Sequence, residues 1–157
     1  PNDIVVHKKK VCGILTEMSM TPEMDEIQFL VAGVGVNTNH NSPEEFPEEI
    51  RETATSLKIE AGTSINRAGL LERILARFEE NYDDFVQVQD LSTLREAYQA
   101  HLINMDAQVL VLDPAGEYTG ISRGISETGE LIVERENGEN VLVYAGEVSV
   151  RGLYGYV

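Results

Sequence analysis

The sequence predicts an α+β chain in two domains, residues 1–105 and 106–157. Three observations lead there. Apolar alternation fills most of the first forty residues, a three- and four-residue apolar spacing runs from Leu70 to Phe85, and short strands separated by turn residues return after Ala107.

Strands are expected over Asp3–Val6, Lys10–Met20 and Ile27–Asn37, each rich in Val, Ile, Leu and Phe. Thr21-Pro22-Glu23-Met24-Asp25 supplies the hairpin connection. Asn39-His40-Asn41-Ser42-Pro43 is punctuated like a loop, and the acidic run Glu44–Glu52 belongs on the surface. Asn66 is suited to cap a long amphipathic helix whose apolar residues are Leu70, Leu71, Ile74, Leu75, Phe78, Tyr82 and Phe85. A second helix starts near Ser92, carries Leu94, Tyr98 and Leu102 on one side and ends around Asn104. Both helices are expected to pack as core scaffold.

Beyond residue 106, Asp113-Pro114-Ala115-Gly116, Thr128-Gly129 and Asn137-Gly138 are turn chemistry. They separate strands near Gln108–Leu112, Tyr118–Ile125, Leu131–Glu134, Val141–Tyr144 and Val148–Val150. Five such strands predict a small barrel.

Composition narrows the function. Hydrophobic residues make up 42% of the 157, enough for a core. No apolar stretch approaches the roughly 18 residues of a membrane helix, so no membrane partner is expected. A single cysteine, Cys12, forms no internal disulfide and reads as a small core residue. A cytoplasmic setting follows as the default. With 27 acidic against 12 basic residues the net charge is −15, which repels phosphate backbones and argues against nucleic-acid binding through this segment. Any cation that meets a nucleotide has to be placed locally, the candidates being His7, Lys8, Lys9, Lys10, Arg123 and Arg151. His7 and His40 lie far apart with no ligand at zinc spacing. The absence of an initiator Met before Pro1 leads us to expect a C-terminal portion of a longer protein.

Lys10 is the most informative position. It lies between Asn2-Asp3 and Gly13-Ile14-Leu15-Thr16-Glu17, with Gly33-Val34-Gly35-Val36-Asn37 following. A lysine, an aspartate and two asparagines at strand ends suit a site for a carboxylate, a triphosphate and a divalent metal. The plainer alternatives are a solvated lysine run at Lys8-Lys9-Lys10, turn-capping by Asp3, Asn2 and Asn37, and bulges at the glycines.

Pro1-Asn2-Asp3, Lys9 through Glu17, Gly33 through Asn37, and Ala145-Gly146-Glu147-Val148-Ser149-Val150-Arg151-Gly152 together resemble the biotin protein ligases, in that family's order and spacing and across the whole chain. The resemblance implies part of a class II aminoacyl-tRNA synthetase-like catalytic domain, a mixed sheet with helices, followed by an SH3-like barrel. It implies ATP-dependent activation of biotin to biotinyl-5′-AMP and transfer to a lysine of a biotin carboxyl carrier domain, with ATP and Mg2+ required.

By the same resemblance Lys10 touches both the biotin carboxylate and the α-phosphate, and Asp3 accepts a proton or helps hold Mg2+. Asn2 and Asn37 serve the phosphates and metal-bound water. Gly13 admits biotin, and Gly33 and Gly35 admit the nucleotide. Arg151 reaches the ATP phosphates, and Glu147 orients it or helps dock the carrier. The family's Gly-Arg-rich loop and most of its biotin pocket are expected upstream of Pro1, so the missing N-terminal half of the catalytic domain is an expected partner. A homodimer and an upstream DNA-binding domain stay open. With no Trp in the chain, the residue stacking on adenine is unassigned. Two other readings compete: a non-catalytic biotin-responsive regulator or carrier-docking module, and a lipoate-type ligase, which is not expected to end in Gly-Glu-Val-Ser-Val-Arg.

Overall fold

The structure, a computed structural model, describes residues 2–21, 26–114, 116–144 and 149–152. Strands and helices both appear, as expected of an α+β chain, and the contacts divide them into two compact units, Pro1–Leu70 and Leu71–Val157.

The first unit is built on an antiparallel sheet of β1 (Asp3–Val6), β2 (Lys9–Thr21) and β3 (Glu26–Val36), in that spatial order. His7 and Lys8 join β1 to β2 with φ of 48° and 65°. Two successive left-handed residues give the turn whose twist matches the strands it connects. Sequence reading missed this turn because neither residue is the usual Asn or Gly. The expected Thr21–Asp25 connection falls largely on residues 22–25, outside the described set.

Where β3 ends, another segment takes its place beside β2. Asn37 N donates to Val11 O at 2.8 Å, after which Lys10 N donates to Thr53 O at 2.7 Å and Thr55 N to Lys10 O at 2.9 Å. Lys10 thereby forms a parallel bridge with Ala54. The core of this unit gathers at that junction: Val11, Cys12, Phe46, Ala54, Thr55 and Ser56 are buried. Cys12 is a small core residue, as expected. Two short 3-10 turns, Pro43–Glu45 and Glu48–Ile50, carry the acidic run on the surface and tuck Phe46 beneath it.

Farther out, the β2–β3 hairpin keeps its apolar side chains uncovered. Leu30 and Val31, which point to opposite faces, are 58% and 50% exposed.

Helix α1 (Leu57–Ala61) was not foreseen. Ser56 caps it, accepting from Ile59 N, and Gly62 ends it with φ of 68°. Helix α2 (Arg67–Val88) begins where Asn66 predicts, Asn66 Oδ1 accepting from Gly69 N at 3.3 Å. Its apolar stripe departs from the expected core scaffold, for Leu71, Leu75, Phe78 and Tyr82 all stand exposed. Periodicity reveals an apolar face but not whether the same chain covers it.

In the second unit, α3 (Ser92–Gln99) starts with Ser92 N donating to Asp90 Oδ1 at 2.8 Å. It stops before the expected Asn104 and continues as tight turns through Met105. Strands β4 (Gln108–Leu112), β5 (Tyr118–Ile125), β6 (Leu131–Glu134), β7 (Asn140–Val143) and β8 (Ser149–Gly152) form one antiparallel sheet in the order β7-β6-β5-β4-β8. Among the described residues no pairing joins β7 to β8, so the pairings described are those of a five-stranded sheet and do not include the closure a barrel requires.

Alternation puts Val109, Val111, Val133 and Val143 together in its core, with Tyr118 and Leu131 packed against them. Each such valine contributes about 1.5–3 kcal/mol by leaving water. Gly124, at φ of 96°, leaves space for Gln99, whose Oε1 accepts from Ile125 N at 2.9 Å and fastens α3 to β5.

Candidate functional site around Lys10

The register of β1 on β2 sets the geometry. Asp3 lies opposite Gly13 and Ile4 opposite Cys12, but Val5 lies opposite Lys10, so Val11 is an extra residue on β2. In an unbroken strand, residues three apart point to opposite faces. The bulge at Val11 re-aims Lys10 so that its ammonium comes over Gly13. A Cβ added at Gly13 would lie 3.0 Å from both Lys10 Cε and Nζ. Lys10 Nζ meets Asp3 Oδ1 at 2.6 Å, with the lysine side chain 41% and the aspartate 23% exposed. A half-exposed ion pair adds little stability, so its value is in where it holds the two charges.

Asn2 and Asn37 brace the same frame. Asn2 Nδ2 donates to Ile14 O at 2.9 Å, and Asn37 Nδ2 donates to Thr55 O at 3.1 Å. Each amide nitrogen carries two N–H groups, so one of these bonds does not exhaust it. Gly35 lies opposite Gly13 and Gly33 opposite Leu15. A Cβ at Gly33 or Gly35 would come no closer than 3.6 Å to its neighbours, so packing within the chain does not demand glycine at either place.

The structure thus brings Asn2, Asp3, Lys10, Gly13, Gly35 and Asn37 into one corner of the first unit. Arg151 belongs to the second unit, its backbone paired with Leu110 in β8, while its side chain lies outside the description. Glu147 is outside the described residues. Arg123 is occupied structurally, bonding Glu134 Oε2 at 2.7 Å and Asp106 Oδ1 at 2.6 Å. Lys8 is an exposed turn residue.

Sequence reasoning missed Thr55, Glu60 and Asn39. Thr55 Oγ1 donates to Glu60 Oε1 at 2.5 Å, and Glu60 Oε2 is 2.6 Å from His7 Nδ1. The Thr55 hydroxyl first, then His7, hold the Glu60 carboxyl below its ordinary value. Asn39 bonds Ile65 in both directions, Nδ2 to Ile65 O at 3.0 Å and Ile65 N to Oδ1 at 2.8 Å. The run Thr55-Ser56 before an apolar helix was the available signal, as a capping pair.

For a metal, the fit is limited. Among the described residues no three His, Cys, Asp or Glu side chains gather to hold an ion, and Asp3 already meets Lys10. No helix among the described residues is long and apolar enough to cross a membrane.

Comparison with known proteins gives a consistent result. Residues 107–151 match the family described as Biotin protein ligase C terminal domain. The chain is 33% identical over 138 residues to the bifunctional ligase/repressor BirA of Bacillus subtilis, covering 88% of this chain and 41% of that protein. It is 25% identical over 145 residues to the biotin-[acetyl-CoA-carboxylase] ligase of Paracoccus denitrificans, covering 90% and 58%. The apo structure of the Aquifex aeolicus biotin protein ligase superimposes with a TM-score of 0.78 at 30% identity, covering 97% of this chain and 63% of that one. The same Aquifex protein in complex with biotin and ATP gives 0.76, also at 30% identity, covering 97% and 60%. The chain spans less than two thirds of the length of each of these relatives.

Proposed function

We propose that this chain is part of a biotin protein ligase and that it carries the Lys10 side of a site that activates biotin with ATP and passes the biotinyl group to a lysine of a biotin carboxyl carrier domain. The observation that carries this is the bulge at Val11, which aims the Lys10 ammonium over Gly13 and against Asp3.

In the first step a biotin carboxylate oxygen attacks the α-phosphorus of ATP. One P–O bond forms as another breaks, releasing pyrophosphate and leaving biotinyl-5′-AMP. Two anions approach each other, so the site has to offset charge and hold the reacting groups in line. Lys10 offsets that charge at the carboxylate and the α-phosphate. Asp3 anchors the ammonium and supplies a carboxylate toward the metal side. Asn2 and Asn37 offer their second N–H groups to phosphate oxygens while bracing the frame. Gly13 admits biotin and Gly33 and Gly35 admit the nucleotide, a role that fits the lack of any packing demand for glycine at positions 33 and 35. Arg151 is the residue assigned to the ATP phosphates, and Glu147 is assigned to orienting it or to carrier docking. Asp3 would be the residue to help hold a Mg2+ ion, which would supply further positive charge at the phosphates. In the second step the carrier lysine's amine attacks the biotinyl carbonyl and AMP departs.

Within this reading residues 1–105 are part of a class II synthetase-like catalytic domain and 106–157 an SH3-like barrel. The family match that begins at residue 107 supports the boundary. An N-terminal half of the catalytic domain completes the site, supported by the uncovered apolar faces of β2, β3 and α2. The setting is the cytoplasm, in keeping with the unpaired Cys12, and homodimer formation is a further element. A regulatory role is the second reading, favoured by the Bacillus relative being named a ligase/repressor.

The test is biotin-dependent exchange of labelled pyrophosphate into ATP by the full-length protein, with lipoate and octanoate as competitors for the role of acid. Exchange that needs biotin and is cut to a small but measurable residual rate by Lys10→Ala supports the proposal. Exchange that prefers lipoate, or whose rate Lys10→Ala leaves unchanged, overturns it.

A further inference from the structure

We propose that Glu60 is a positioning residue for Lys10, acting through Thr55 and His7; this rests on the role given to Lys10 above. The bonds form a closed path. Glu60 Oε1 accepts from the Thr55 hydroxyl at 2.5 Å, and Glu60 Oε2 bonds His7 Nδ1 at 2.6 Å. Thr55 N donates to Lys10 O at 2.9 Å. His7 stands in the turn from which β2 sets out, three residues before Lys10 at the bulge. One carboxylate therefore grips both approaches to the Lys10 backbone: the segment alongside it and the turn ahead of it.

Each part of this path needs the grip for its own reason. His7 and Lys8 are left-handed residues without glycine's freedom, a conformation that persists only when surrounding contacts hold it. A bulge leaves its extra residue unpaired in the ladder, so the strand at Val11 has fewer bonds to fix the direction of Lys10. Thr55 is 1% exposed, and its carbonyl accepts from Asn37 Nδ2, so the same residue is held at its other backbone group by a second candidate residue. The anchor itself is tied into the fold. Glu60 lies on α1, whose cap Ser56 is fully buried and donates its hydroxyl to His40 O at 2.8 Å while accepting from Ile59 N.

The experiment is a double-mutant cycle in the full-length protein, read by the rate of biotin-dependent pyrophosphate exchange, with thermal unfolding as a check on folding. Glu60→Ala is expected to lower the exchange rate roughly ten- to a hundredfold, the range that small misplacements of catalytic groups produce. In a Lys10→Ala background the same change is expected to have almost no further effect, because a residue that works through Lys10 has nothing left to position. Glu60→Gln should restore most of the rate, its oxygen accepting from Thr55 and its NH2 reaching His7.

A Glu60→Ala protein as active as wild type, or one that loses the same factor with and without Lys10, overturns the inference while leaving the role of Lys10 intact. Biotin-dependent exchange that is absent, or indifferent to Lys10→Ala, overturns the underlying functional reading instead. Should Glu60→Ala fail to fold, Thr55→Val carries the test. It removes the hydroxyl but keeps the backbone N–H on Lys10, and its rate must fall alone yet not in the Lys10→Ala background.

Discussion

Lys10 Nζ sits 2.6 Å from Asp3 Oδ1, although β1 pairs Asp3 with Gly13 and not with the lysine. The pair exists because Val11 adds a residue to β2 and Gly13 has no side chain in the way. Asp3→Asn keeps the shape and removes the charge that anchors the ammonium. Biotin-dependent pyrophosphate exchange is expected to drop roughly tenfold or more. The urea unfolding free energy should move by less than about 1 kcal/mol, as for other half-exposed ion pairs.

The glycines separate steric from functional demand. Gly13→Ala puts a methyl 3.0 Å from Lys10 Cε and Nζ, so the flexible ammonium end has to give way by a few tenths of an ångström beside Asp3. Exchange should fall while stability barely changes. At Gly35 the added methyl meets only Gly13 O, at an ordinary 3.8 Å. Gly35→Ala is expected to leave stability equal or raise it by about 0.5–1 kcal/mol. Nucleotide binding, followed by calorimetry, should nonetheless weaken if that open face receives ATP. A Gly35→Ala protein with unchanged ATP affinity would remove Gly35 from the site.

Gly120 makes the opposite case in the second unit. A Cβ there would lie 2.5 Å from Val133 Cγ1 and 2.7 Å from Glu134 O, inside the valine core. Gly120→Ala should cost about 1–3 kcal/mol by overpacking. The chemical denaturation midpoint measures this directly.

Acid should loosen the corner before it unfolds the molecule. The Thr55 hydroxyl and His7 hold the Glu60 carboxyl below its ordinary 4.5. A depressed carboxyl contributes stability that is complete above pH 4.5 and disappears as pH falls through its folded value. The unfolding free-energy difference between wild type and Glu60→Gln should therefore be largest above pH 4.5 and shrink steadily below it. A difference constant from pH 6 to pH 3 contradicts this.

Burial pushes the Cys12 thiol above its usual range; Lys10 opposes that shift and Asp3 adds to it. With the side chain only 4% exposed, alkylation by iodoacetamide at pH 7 should be far slower in the native protein than in urea. Comparable rates in the two conditions would contradict the buried position.

Most strands and the start of α2 were legible in the sequence because they depend on local pattern: alternation for β4 and β5, and Asn66 three residues before Gly69 for the helix. The corner around Lys10 was legible as a set of residue types, through motif resemblance. Its assembly was not. The His7-Lys8 turn lacks turn residues, Thr55 reaches Lys10 across more than forty positions, and Glu60 looks like any other acid in a chain of 27. The uncovered stripe of α2 marks a different limit, since periodicity cannot name the surface that will cover it. The end assigned to α3 around Asn104 failed for a local reason: past Gln99 the chain follows successive tight turns.

The extra residue at Val11 has the effect of a parity switch. Counted outward from the bulge, odd and even positions exchange sides, so the spacing between lysine and glycine decides whether the charge faces its aspartate or the reverse of the sheet. Pairing Val11 regularly in the ladder would preserve every functional group and turn position 10 away, whereas deleting it would leave Lys10 and Gly13 two apart in an unbroken strand and still on one face. Distance in sequence and distance along the sheet therefore part company here, three letters from Lys10 to Gly13 counting as two steps of the ladder.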